Sequence, residues 1–236
     1  VNITDGIMLL DNVSVRLAEP NGTITDNTAS WDITPTNYYT YRGPLIEEAR
    51  TNLFTYNADL LNEYPLSTNC TMSASSNTIA GQSFVKLSED STSSVKFWNG
   101  SSHSNSYVSG TTYTTSIYIN ALGRDFVQVN IGGNAEVNVN LQTGEINSVT
   151  GGNAMFDTYS ASIESLGDSK YRIRVTRTCI ANVTTHARLY LSDNPNFSAI
   201  SVPPAYLGDG REAIEFAAIQ IEAASTASSY IPTTTA

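Results

Sequence analysis

A chain of 236 residues with a formal net charge of −10 and only 14% charged residues leaves most polar positions to Ser, Thr and Asn. That length buries a sizeable core without staples, and the acidity argues against a nucleic-acid partner or an anionic membrane surface, since both need clustered Lys and Arg. Lysine occurs only at 86, 96 and 170. No apolar run approaches about 18 residues, so no membrane-spanning helix is expected. No signal peptide is visible and the sequence starts at Val1 without Met; a processed protein and a fragment both fit. Sequons such as those at Asn2, Asn99 and Asn182 are expected by chance in a chain this rich in Asn, Ser and Thr.

Residues 1–43 read as an arm or small β-subdomain. Gly6–Leu10 and Val13–Leu17 are candidate short strands among turn signals such as Pro20-Asn21-Gly22. Trp31, Tyr38, Tyr39 and Tyr41 supply more amphipathic surface than one small segment buries. They are the candidate contacts to a sister subunit or a larger particle. Gly43-Pro44 marks the boundary, and residues 44–236 form the body. In the segment Leu45–Tyr56, Glu47, Glu48 and Arg50 invite an acid/base reading. Local pairing of Arg50 with a carboxylate explains them better, because a glycosidase needs two carboxylates across a cleft rather than side by side in sequence.

Residues 57–64 are the best helical stretch, and they amount to a turn or two. From Gln82 onward short alternating runs follow one another: Ser83–Leu87, Ser94–Trp98, Thr112–Asn120, Phe126–Ile131, Val137–Leu141, Ser162–Leu166, Tyr171–Thr176 and Ala187–Leu191. Period-2 alternation puts Tyr113, Thr115, Ile117, Ile119, Val127, Val129, Ile131, Val137, Val139 and Leu141 inward. Gln142–Glu145 is a tight hairpin with Gly144 at the positive-φ position. The last strand, from Ala213, puts Ile214, Phe216 and Ala218 on one parity and Ile219 and Ile221 on the other. It stops before Pro232, which cannot donate to a ladder. The expected fold is therefore all-β and antiparallel. Cys70 and Cys179 match no metal spacing; free core thiols and a disulfide both remain open.

Two stretches carry a family resemblance. Leu45-Ile46-Glu47-Glu48-Ala49-Arg50-Thr51-Asn52-Leu53 resembles the opening, and Phe216–Glu222 with Ser229-Tyr230-Ile231-Pro232-Thr233 the close, of virion-associated jelly-roll modules of phage tail fibres and head fibres. The order of the body, with its "LQTGEI" hairpin and "LGDSKYRIRV" strand, is similar to the carbohydrate-binding-module type of jelly roll. The resemblance covers about residues 44–235. It implies an antiparallel β-sandwich (jelly roll) with an N-terminal arm, on the surface of a phage particle. It further implies other virion proteins as partners, a homo-oligomer of trimer type, and a host glycan as ligand.

No H-x-x-H, H-E-x-x-H, G-x-S-x-G or phosphate loop occurs, so no catalytic residue is expected and no cofactor is required. A structural calcium, which similar jelly rolls often hold, would fall to Asp168, Asp209 and Glu212; turn chemistry explains those residues equally well. A sugar site needs an aromatic platform with amides and hydroxyls around it. Two groups qualify: the loop region of Trp98, Asn99, His103 and Tyr107, and the outward row Tyr118, Asn120, Gln128, Asn130, Asn138 and Asn140. The second group forms one face only if its strands are neighbours. The competing readings are that Trp98 and Tyr107 are core or subunit-contact aromatics, that His103 is a solvated loop residue, and that the amide row is a plain solvated face. The function expected is a non-enzymatic phage structural protein that displays a glycan-binding sandwich. A secreted or surface bacterial carbohydrate-binding module is the alternative, and a depolymerase is less favoured.

Overall fold

The computed structural model describes residues 13–16, 45–131, 136–150, 155–194 and 203–233. The chain divides into two compact units, Val1–Arg50 and Thr51–Ala236. In the first, β1 (Val13–Arg16) pairs antiparallel with β2 (Leu45–Glu48), Val13 opposite Glu48 and Arg16 opposite Leu45. The opening motif thus supplies a strand to the first unit before it enters the second. Trp31, Tyr38, Tyr39, Tyr41 and the Gly43-Pro44 boundary lie outside the described residues.

The second unit begins with a 3₁₀ turn (Asn57–Asp59) and a single helical turn, α1 (Leu60–Glu63), where sequence reading places its one helical stretch. Then come β3 (Ser67–Thr68), β4 (Cys70–Ile79), β5 (Gln82–Glu89), β6 (Ser93–Ser94), β7 (Lys96–Asn99), β8 (Asn105–Tyr107), β9 (Thr112–Ala121) and β10 (Phe126–Ile131). They are followed by β11 (Glu136–Asn140), β12 (Glu145–Thr150), β13 (Phe156–Gly167), β14 (Lys170–Cys179), β15 (Val183–Thr185), β16 (Ala187–Ser192), β17 (Tyr206–Leu207) and β18 (Glu212–Glu222).

Two six-stranded sheets, ordered β4-β5-β18-β9-β14-β13 and β3-β7-β16-β10-β11-β12, pack face to face. Their ladders are antiparallel throughout the described residues. Counting β5, β7, β9, β10, β11, β14, β16 and β18 as first to eighth, the orders become 1-8-3-6 and 2-7-4-5. That is the jelly roll of two interlocked Greek keys. The core lies between the sheets, where Leu87, Ile117, Ile119, Ile173, Val175, Phe216 and Ile221 of one meet Trp98, Val127, Val129, Val137, Val139, Leu189 and Leu191 of the other. Sequence alternation identified the inward set on β9, β10 and β11 because the side-chain period of a strand is two; the Ile131 side chain of that set lies outside the described residues.

The last strand is central, held by β5 on one side and β9 on the other. Its change of parity is a β-bulge: Ala217 pairs with Tyr118 and Gln220 with Ser116, leaving one extra residue between, and Ala218 sits at φ 51°. Because of that insertion Ile214 and Phe216 before it, and Ile219 and Ile221 after it, all face the core. Ala218 turns to the other face with Phe84, Ala217, Tyr118 and Tyr230. At the hairpin after β11, Gly144 has φ 70°, as its turn demands. β4 is an edge strand that sequence reading passes over. Its run CTMSASSNTI is mostly exposed and carries too few apolar residues to show alternation.

Candidate functional site

The two motifs of the family resemblance meet in one joint. The bulge at Ala218 leaves the Ile219 carbonyl free of the ladder, and Asn52 Nδ2 (3.3 Å) and Asn57 Nδ2 (2.9 Å) both donate to it. The same two amides donate to the Ile231 carbonyl at 2.8 and 3.2 Å. Asn52 Oδ1 accepts from the Phe54 and Ile221 amides, and Asn57 Oδ1 accepts from the Tyr230 hydroxyl and the Thr233 amide. Gln220 takes the Ile231 amide at 2.6 Å, and Ser228 donates its amide and its hydroxyl to Glu222. Burial pushes the Tyr230 hydroxyl well above its ordinary range. Asn52, Asn57, Gln220 and Glu222 are all buried. These residues clasp the C-terminal tail over the sheet. Asn52, Gln220 and Glu222 fall within the two motifs, which is the signal in the sequence that points to them; Asn57 falls outside both.

Most of the sugar-site candidates prove to have structural work, and the expected platform needs correcting. Trp98 is 1% exposed and lies in the core, its ring centroid 5.0 Å from Phe216 and its Nε1 donating to the Tyr64 carbonyl at 3.0 Å. Tyr107 is likewise buried, edge-on to Tyr113 and Phe156. Neither presents a face to a ligand. Large aromatics at inward strand positions fill the sandwich end, where area burial outweighs any other use. Asn99 turns its loop by accepting the Ser101 amide. His103 is not a free loop residue. It is half-buried, 4.8 Å from the Tyr56 ring and 5.0 Å from Tyr64, with Nε2 3.3 Å from a Glu63 oxygen. Burial raises the neighbouring Tyr64 hydroxyl to about 12.

The outward row is not one face. β9, which carries Tyr118 and Asn120, belongs to the first sheet; β10 and β11, which carry Gln128, Asn130, Asn138 and Asn140, belong to the second. Tyr118 is covered by the tail residue Tyr230 and by the Arg172 guanidinium, 5.2 Å from its ring. Asn120 donates to the Glu215 carboxylate at 2.8 Å, as do Ser75 (2.6 Å) and Asn77 (2.6 Å). Burial, the largest single influence, drives the Glu215 carboxyl upward, but these donors together with Lys86 outweigh it and hold it below its ordinary value. On the other sheet Gln128 donates to Asn138 (3.1 Å) and Asn138 to Ser148 (2.8 Å). Gln128, Asn130 and Asn138 are fully buried rather than solvated. Asn140 closes the hairpin by accepting the Gln142 and Thr143 amides.

The calcium candidates do not converge. Asp168 is exposed in the β13–β14 turn, 4.0 Å from Lys170. Asp209 accepts from Arg211 Nε at 2.7 Å, and hydrogen bonding by Arg211 holds its carboxyl well below the usual range. Glu212 pairs with Lys86 at 2.9 Å. Behind Asp209, the fully buried Glu89 carboxylate accepts from Arg124 (2.6 and 3.0 Å), Tyr206 (2.5 Å) and the Asp209 amide (3.0 Å). Cations therefore occupy the oxygens a metal would use. Among the described residues no three His, Cys, Asp or Glu side chains are grouped for a metal. Cys70 and Cys179 are free thiols, Cys179 in the core and Cys70 partly buried, and burial pushes the Cys70 thiol up to about 12.

An open concavity of about 450 Å³ remains, on the outer face of the first sheet. Thr114 of β9, Arg174 and Thr176 of β14, and Ser160, Ala161 and Ser162 of β13 form its floor; Ser225, Thr226 and Ala227 of the tail form its wall. Register explains the floor. Ser160, Thr176 and Thr114 are cross-strand partners in one row, and Ser162 and Arg174 are partners in the next. Thr114 and Thr176 bond each other at 2.8 Å, and Thr114 donates to the Ala224 carbonyl at 2.8 Å, fixing the wall. Arg174 Nη2 is bonded to Glu164.

The fold and this groove define a jelly-roll β-sandwich with a polar, hydroxyl-lined surface concavity. No protein-family profile matches the chain, and no curated protein matches it in sequence.

Proposed function

We propose that the chain is a non-enzymatic structural protein of a phage virion, of fibre or decoration type, whose sandwich projects from the particle and binds host-surface glycans. The clasp supports this reading. The opening motif reaches the closing motif through Asn52, seconded by Asn57 just beyond the motif, so residues of both stretches that carry the phage resemblance act in one fold-closing device. The arm, with Trp31, Tyr38, Tyr39 and Tyr41, attaches the module to other virion proteins or to two sister copies, since aromatics are enriched in interface cores. A secreted bacterial carbohydrate-binding module is the second reading, favoured by the open groove on the sandwich.

The test is the mass of the purified chain in solution, followed by a glycan-array screen. A trimer that binds a defined surface sugar supports receptor recognition. A well-folded oligomer that binds no sugar leaves the virion role and removes the glycan role, and labelling of the particle then decides its position. A monomer that binds sugar and is missing from particles supports the secreted module.

A further inference from the structure

We infer that the groove between β13, β14 and the tail is the saccharide site, and that it takes a sugar bearing a carboxylate, anchored by Arg174. This rests on the glycan reading above and names its site and ligand class. Three observations carry it. First, the Ser160, Ser162 and Ser225 hydroxyls are exposed and make no hydrogen bond among the described residues, although their neighbours Thr114 and Thr176 do. Free hydroxyls on β13, about 7 Å apart at a two-residue step, and on the facing tail suit the several hydroxyls of a sugar better than an apolar ligand.

Second, a row of cations runs beside the groove in a chain of net charge −10, with Asp168 and Glu164 as its neighbours. Along β14 the outward side chains are Lys170, Arg172 and Arg174. Arg172 is nine-tenths buried and, among the described residues, hydrogen-bonds no carboxylate, although Glu164 lies opposite it and Glu222 is near. Its Nη2 donates to Ser116 Oγ (3.1 Å) and to the carbonyl of Ser228 (2.6 Å), beside groove residue Ala227, and its Nε has no hydrogen-bond partner. Third, Arg174 lines the groove but is held by the half-exposed Glu164 at its margin. Glu164 stands where a ligand carboxylate would bond the planar fork of the guanidinium, and so acts as a built-in competitor for it.

This arrangement makes two variants move in opposite directions. Arg174→Ala is expected to weaken binding of a uronate- or sialate-bearing oligosaccharide by about tenfold to a hundredfold, the worth of a charge-assisted hydrogen bond. Glu164→Gln is expected to tighten it severalfold by releasing the guanidinium. Arg174→Lys, which keeps the charge but loses the fork, should fall between. The probes are a printed panel of carboxylated oligosaccharides with their carboxyl-reduced counterparts, then calorimetric titration of the full chain with the best binder. Thermal melting of each variant checks folding. Loss of binding on carboxyl reduction, with opposite shifts in the two variants, supports the site. Binding that survives carboxyl reduction, or that ignores both variants, overturns the site while leaving the glycan reading intact. Failure of the folded wild-type chain to bind any sugar, acidic or neutral, overturns both.

Discussion

Two polar rows on this sandwich look alike in sequence and differ in the fold. Gln128, Asn130 and Asn138 alternate with valines on β10 and β11, and they are as inaccessible as the valines: 0, 2 and 0% exposed against 0, 2, 0 and 0% for Val127, Val129, Val137 and Val139. Ser160 and Ser162 alternate in the same way on β13, yet they stay open to solvent. The amides are sealed, with Gln128 bonded to Asn138, whereas the hydroxyls are presented. Alternation states which way a side chain points, and burial depends on what covers that face.

The largest expected effect is at the sealed extreme. Trp98→Ala should cost about 3–5 kcal/mol by chemical denaturation, because it opens a large cavity in the core. Were Trp98 instead an exposed sugar platform, stability would hold and only binding would fall. Asn52→Ala should follow at roughly 3 kcal/mol, since it leaves the Ile219 and Ile231 carbonyls and the Ile221 amide short of a partner in a buried joint. Its companion Asn57→Ala shares those carbonyls, so each single variant leaves them one donor and the double variant should lose more than the sum. Asn138→Ala tests the amide row directly. It should cost about 1–3 kcal/mol by removing the acceptor of the Gln128 amide and the donor to Ser148, and a change within experimental error would show the row to be solvated after all.

A fourth experiment uses pH. Burial pushes the Glu136 carboxyl, on the same outward face, from an ordinary 4.5 up to about 7. A carboxyl whose folded pKa lies above its unfolded one binds more protons when folded. Its contribution is therefore complete below about 4.5 and is lost as pH rises through 7, at a slope of at most about 1.4 kcal/mol per pH unit. In Glu136→Gln this part of the pH dependence of urea midpoints should vanish. The smallest effect belongs to the open row: Ser162→Ala should change stability by less than about 0.5 kcal/mol, and a melting shift well beyond that would place Ser162 among the sealed groups.

The C-terminal strand sharpens the same lesson. Its parity change from Phe216 to Ile219 is visible in the sequence, and it marks a bulge because only an inserted residue lets both sets of apolar side chains reach one core. What the parity change does not reveal is that the freed carbonyl of Ile219 becomes the anchor for Asn52, 167 positions earlier. The backbone at Ala218, in the left-handed region, is the local cost of that joint.

From the sequence alone come the all-β class, most strand positions, the inward set on β9 to β11 and the turn at Gly144. Each of these is a local property, set by a two-residue period or by the φ a single position must adopt. Tertiary structure alone decided the rest. It assigned β9 and β10 to different sheets, which split the expected amide face. It sank Trp98 and Tyr107 into the core, paired Asp209 and Glu212 with cations, and laid the tail beside β14 to wall a groove of hydroxyls around Arg174. Those outcomes depend on which distant strands become neighbours, and that is fixed by packing and hydrogen bonding between residues far apart in the chain.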